Sequence, residues 1–175
     1  EESLKEKVSV LLGPGTNMKR SPLCGRNFEY FSEDPYLTGT MAAAEITGLK
    51  ESGVTGTLKH FCGNNQETNR HFLESVVSER ALREIYLRGF EIAVRKGKAQ
   101  TVMTTYGIVN GLWTAASYDL NTVILREEWG YEGLVTTDWW TDGEHYKEVL
   151  AGNDPCLCVV KVRLDHKTMP KVMAQ

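Results

Sequence analysis

No apolar run in this sequence approaches the ~20 residues that cross a bilayer as a helix. Nor is there a basic footprint. The 175 residues carry a net charge of −3 at pH 7, which argues against nucleic-acid and polybasic membrane contacts. Cysteine is scarce. Of Cys24, Cys62, Cys156 and Cys158 only the last two lie close together, and a C-x-C pair without a second pair is not zinc-site spacing. The expectation is separate thiols, no metal and no cofactor. The first residues, Glu1 to Lys7, are charged where a signal peptide would be apolar. What remains is ordinary. Hydrophobic residues make up 41% and charged residues 25%, enough for one domain with a core.

The pattern alternates between strand-like and helix-like pieces. Residues 8–12, 55–61, 100–106, 134–137 and 157–162 are short, largely apolar runs bounded by turn residues, as buried strands should be. Between them, residues 36–52 place Ala42, Ala43, Ile46 and Leu49 on one side of a helix that exits at Gly53. Ser78 opens a second helix, whose face runs through Leu82, Ile85, Tyr86, Gly89 and Ala93. Residues 117–129 make a third, with Leu120, Val123, Ile124 and Trp129 apolar, and 143–150 a fourth. Buried strands alternating with helices mean parallel pairing with right-handed crossovers. The expected fold is α/β: a parallel (β/α) barrel of the TIM type, with only about four or five β/α units present.

In such a fold the chemistry sits at the carboxyl ends of the strands. Lys59, His60, Tyr106 and Asp138 all fall there. Asp138 is the most informative. The strand residues Leu134 and Val135 run into a carboxylate followed by Trp139 and Trp140. A charge at the end of a buried strand is costly unless used or paired. Indole rings beside it offer a stacking surface for the C–H faces of a sugar.

Several longer stretches point the same way. Gly25-Arg-Asn-Phe-Glu-Tyr-Phe-Ser-Glu-Asp-Pro35 resembles the signature loop of family 3 glycoside hydrolases. Lys59-His-Phe-Cys-Gly-Asn-Asn-Gln-Glu-Thr-Asn-Arg70 resembles that family's lysine-histidine strand and following loop, and Thr137-Asp-Trp139 its nucleophile motif. Residues 77–86, 102–106, 109–111 and 125–130 also match, in order, between about residue 8 and residue 154. The resemblance implies a retaining β-glycosidase, most simply a β-glucosidase, acting on a β-glucoside or oligosaccharide. Asp138 would form the covalent glycosyl-enzyme, and a second carboxyl group would serve as acid and base. Lys59, His60, Arg26 and Arg70 would bind sugar hydroxyls, with Met103, Tyr106 and Trp139 completing the pocket.

Each residue also has a plainer reading. Asp138 could cap a following helix, although Asp142 is placed to do so. Arg26 could pair with Glu29 or Asp34 to staple its own loop, and Met103 could be core. The Pro-Gly-His-Gly of the family's β-N-acetylhexosaminidases is replaced here by Cys62-Gly-Asn-Asn65, which argues against that subgroup. A full barrel takes ~250 residues. The family's early strands and its acid/base domain have no counterpart in these residues, and residues 155–175 read as a divergent tail after a barrel segment at 1–154. The sequence therefore reads as part of a larger enzyme. Alternatives are a half-barrel remnant closed by a second copy, domain or subunit, a non-catalytic carbohydrate-binding module, and a lyase forming a Schiff base at Lys59.

Overall fold

A computed structural model of the chain describes residues 1–141 and 143–154. Asp142, the expected strand 157–162 and the tail with Cys156 and Cys158 lie outside the described residues. A short helix α1 (Glu2–Lys5) precedes the first strand and had no counterpart in the sequence pattern.

Four strands form the central sheet: β1 (Val10–Leu11), β2 (Thr55–Phe61), β4 (Thr101–Thr104) and β7 (Leu134–Thr136). Their order is β1-β2-β4-β7 and every pairing is parallel, as in a partial (β/α) barrel. Among the described residues β1 and β7 are edge strands, so the sheet stays open. Strand side chains alternate between faces. Leu58, Val102 and Val135 stand in register and enter the core under the helices. Met103 and Thr136 stand opposite one another on the other face.

Helix α2 (Pro35–Glu51) starts where Asp34 accepts the Leu37 N–H at 2.8 Å and Pro35 takes the first helical position. It buries Ala42, Ala43 and Ile46. Its partner is α4 (Arg88–Gly97). The two approach closely because neither needs a side chain at the contact. A Cβ on Gly39 would lie 2.7 Å from Ile92 Cβ, and one on Gly97 would lie 2.9 Å from Ala43 Cα.

The second predicted helix departs from a uniform 3.6-residue period. Ser78 Oγ accepts the Ala81 N–H and opens α3 (Glu79–Ala81), but Leu82–Tyr86 forms a π-turn before α4. There the Leu87 N–H reaches Leu82 O at 2.8 Å. The inserted residue rotates everything downstream. The buried face becomes Leu82, Leu87, Phe90, Ala93 and Val94, while Ile85 and Tyr86 are only partly buried. The third helix, Asp119–Glu128, is π-helical and buries Leu120, Ile124 and Leu125. Helix α5 (His145–Leu150) follows the Asp138 loop.

A second sheet was not foreseen. It joins β3 (Glu74–Ser75), β5 (Ile108–Val109) and β6 (Leu112–Trp113). Two-residue strands are too short to show alternation. The turn between β5 and β6 is Asn110-Gly111: both adopt positive φ, 49° and 86°, as a two-residue hairpin requires.

Candidate active site

The site lies past the carboxyl ends of β2, β4 and β7. Beyond β1, the segment Gly13 to Asn17 runs alongside the end of β2: Lys59 N–H donates to Pro14 O at 3.0 Å, and Thr16 N–H to Lys59 O at 2.6 Å. The Lys59–His60 and Phe61–Cys62 peptide bonds are cis. Asn17 grips the His60 backbone from both sides. Its Nδ2 donates to His60 O at 2.9 Å, and its Oδ1 accepts the His60 N–H at 2.8 Å. The fork fixes the pivot from which the imidazole projects.

Asp138 is 1% exposed. Its Oδ1 accepts the Trp139 N–H at 2.8 Å, and its Oδ2 lies 3.6 Å from His60 Nε2. Burial raises the Asp138 carboxyl above its ordinary value. The Trp139 N–H, Arg26, the Tyr106 hydroxyl and Lys59 pull the other way without cancelling that effect. His60 is displaced in the opposite direction. Burial first, then Arg26, Lys59 and Arg70, hold it well below 6.5, so the imidazole is neutral at pH 7.

Two cationic side chains, Arg26 and Lys59, act on the carboxylate, and Glu29 clamps them together. Glu29 Oε1 accepts the Arg26 Nε–H, and Glu29 Oε2 lies 3.0 Å from Lys59 Nζ. Burial pushes the Glu29 carboxyl up, but hydrogen bonds from Arg26 and Lys59 outweigh it and leave it below its ordinary value. The plainer reading of Arg26 as a loop staple is thus correct as far as it goes, with Glu29 and not Asp34 as its partner. Arg26 nonetheless contributes its field to Asp138 and His60. Arg70 pairs with Glu67 at 2.7 Å and lies over the Tyr106 ring, 4.8 Å from its centroid. His71 contacts the same ring, with centroids 4.8 Å apart. Tyr106 is 5% exposed, and burial, then Asp138, raises its hydroxyl.

Met103 is fully buried on the sheet face it shares with Thr136. Trp139 is half-buried, while Trp140 takes a φ of 57° and is 58% exposed. The structure brings Arg26, Lys59, His60, Arg70, Tyr106 and Asp138 into one electrostatic cluster joined by the Trp139 N–H, while Trp140 is exposed. Sequence reasoning missed Asn17, Tyr30 and Asn64, and the second arm of Glu29. Asn17 lies beyond the end of β1 in a stretch that reads locally as loop, so no strand-end signal marks it. A cleft of about 730 Å³ lined by Lys98, Gln100, Trp129 and Gly133 lies at the other end of β4 and β7, away from Asp138. Among the described residues no group of three or more His, Cys, Asp or Glu side chains converges as a metal site.

This arrangement suits a hydroxyl-rich ligand: donors on several strand ends, ring faces, and one dry carboxylate. Residues 1–154 match the model of the glycosyl hydrolase family 3 N-terminal domain. The chain belongs to glycosyl hydrolase family 3. A β-glucosidase of Ruminococcus albus is 72% identical over 141 residues, which is 81% of this chain and 15% of that protein. An exo-α-(1→6)-L-arabinopyranosidase of Bifidobacterium longum is 48% identical over 152 residues, covering 87% of this chain and 20% of that protein. The structure of β-glucosidase 3B from Thermotoga neapolitana in complex with glucose superposes with a TM-score of 0.90 at 46% identity, covering 99% of this chain and 25% of that one. This family 3 chain thus spans between a seventh and a quarter of the length of these relatives.

Proposed function

We propose that the chain is the nucleophile-bearing part of a larger retaining β-glycosidase, with β-D-glucosides as substrates. The observation that carries this reading is Asp138: a carboxylate buried at a strand end, raised by burial and faced by Lys59, Arg26 and His60.

Asp138 attacks the anomeric carbon as the glycosidic C–O bond breaks. A carboxylic acid from outside the residues assigned here gives its proton to the leaving oxygen. That partner then takes a proton from water, whose oxygen displaces Asp138 and restores the free carboxylate. The burial of Asp138 has a catalytic logic. Its charge is poorly solvated in the free site, and the positive charge growing on the sugar ring compensates it only in the transition state. Lys59, His60, Arg26 and Arg70 donate to ring hydroxyls. Trp139, Tyr106 and Met103 form the wall. A separate observation supports a second substrate, an α-L-arabinopyranoside, since the 48%-identical B. longum relative bears that activity in its name.

The stereochemistry tests the proposal. In the full-length protein that carries this chain, hydrolysis of an aryl β-D-glucoside followed by proton NMR is expected to release β-glucose first. Early appearance of the α-anomer would mean single displacement and would remove Asp138 as nucleophile. Running the aryl α-L-arabinopyranoside alongside ranks the two sugars by kcat/KM.

A further inference from the structure

We infer that Tyr30, seated on Gly15 and held by Asn64, fixes the tautomer of His60 and keeps its single ring proton on Nε2, the nitrogen that faces Asp138. The tautomer follows from hydrogen-bond accounting on a neutral imidazole. Its catalytic consequence rests on the glycosidase reading above.

The Tyr30 hydroxyl lies 3.3 Å from His60 Nδ1, with the two rings edge to face at 82°. Asn64 Nδ2 reaches the same hydroxyl oxygen at 3.3 Å. An amide N–H only donates, so the Tyr30 oxygen accepts there. Its own proton is then free for His60 Nδ1. Burial drives the Tyr30 hydroxyl above its ordinary range, so it keeps that proton. His60 is neutral and carries one ring proton. If Nδ1 accepts, that proton sits on Nε2. Nε2 is 3.6 Å from Asp138 Oδ2, a carboxylate oxygen that accepts no hydrogen bond from the described residues. The other tautomer would set an imidazole lone pair against the carboxylate and take away the Nδ1 acceptor for the Tyr30 proton.

Water does not compete, since Tyr30, His60 and Asn64 are 4%, 2% and 5% exposed. The ring of Tyr30 is held by the backbone beneath it. A Cβ on Gly15 would lie 2.7 Å from Tyr30 Cδ1 and 2.9 Å from Cε1. Gly15 also bridges both Tyr30 and Lys59. One glycine thereby sets the spacing between the loop that holds Tyr30 and the strand that holds His60. Tyr30 is a positioning residue: it acts through His60 and presents a donor to the carboxylate or to a sugar hydroxyl.

The test is nitrogen NMR of the full-length protein with 15N-labelled histidine rings, without substrate, at neutral pH. His60 signals are identified by their loss in His60→Gln. The expected spectrum has a pyridine-type Nδ1 and a protonated Nε2. In Tyr30→Phe the Nδ1-protonated form should appear, and kcat/KM should fall about tenfold, the low end for loss of a residue that orients a functional histidine. A wild-type proton on Nδ1, a doubly protonated ring, or an unchanged tautomer in folded Tyr30→Phe would overturn the inference. If that variant does not fold, the wild-type spectrum alone decides. Because no substrate is present, failure of the glycosidase reading would leave this result intact.

Discussion

Asp138→Asn in the full-length protein is expected to lower kcat for β-glucoside hydrolysis by a factor on the order of 10⁴ to 10⁶, the cost of removing a catalytic nucleophile. It should also raise the thermal midpoint. The two effects share one cause. Asp138 is buried and its carboxyl is raised above the ordinary value, so the folded state binds a proton there more tightly than the unfolded chain does. Stability contributed by that proton is fully present below the unfolded value and is lost as pH rises through the folded one. At neutral pH the native charge therefore works against the fold, and a neutral asparagine removes the strain of burying it. The same shift sets the pH profile. Activity needs the ionised form, so its acid limb should fall at a higher pH than an ordinary aspartate would give. Calorimetry and initial rates check both sides. A variant that is inactive and less stable would mean that Asp138 holds the site together.

Lys59→Met should lower kcat/KM by about 100-fold, as expected when one partner of a partly buried charge pair that also grips the substrate is removed. It should also destabilise the fold, because Glu29 keeps only one of its two cations. Adding Glu29→Gln separates the roles. The double variant should regain much of the lost stability, since no unpaired carboxylate remains, but none of the lost activity. The stability coupling between the two sites should be on the order of 1 kcal/mol, within the range for residues in direct contact. Additive stabilities would show that the bridge carries no energy. Recovery of activity in the double variant would show that Lys59 serves only to neutralise Glu29, and not to bind the sugar.

Much of the frame could be read from the residues. β2 runs over Thr55–Phe61, the span expected from an apolar run closed by turn residues. Helix α2 was visible through the apolar side made by Ala42, Ala43, Ile46 and Leu49. Asp138 stood out because a charge directly after Leu134 to Thr137 breaks a buried pattern, and burial did prove nearly complete. Other features leave no local trace. The π-turn at Leu82–Tyr86 changes the face of its helix by one residue, and no 3.6-residue pattern carries that information. Asn17 and Tyr30 act on His60 across 43 and 30 positions of sequence. Their type and spacing look like loop chemistry until the fold brings them to the end of β2. Arg26 was legible as a loop staple or a sugar ligand; its pairing with Glu29 shows the staple, and its charge also acts on Asp138.

The family resemblance suggested the role proposed for Asp138, while the structure supplies its surroundings. The identity of the nucleophile is the point on which the rest depends. The most direct test is to incubate the full-length protein with a 2-deoxy-2-fluoro-β-D-glucoside bearing a good leaving group, then digest it and locate the modified peptide by mass spectrometry. The expected result is one fluoroglucosyl group, esterified to Asp138 in the peptide containing Thr137, Asp138 and Trp139. Labelling of any other residue, or full activity with no label at all, would contradict the account.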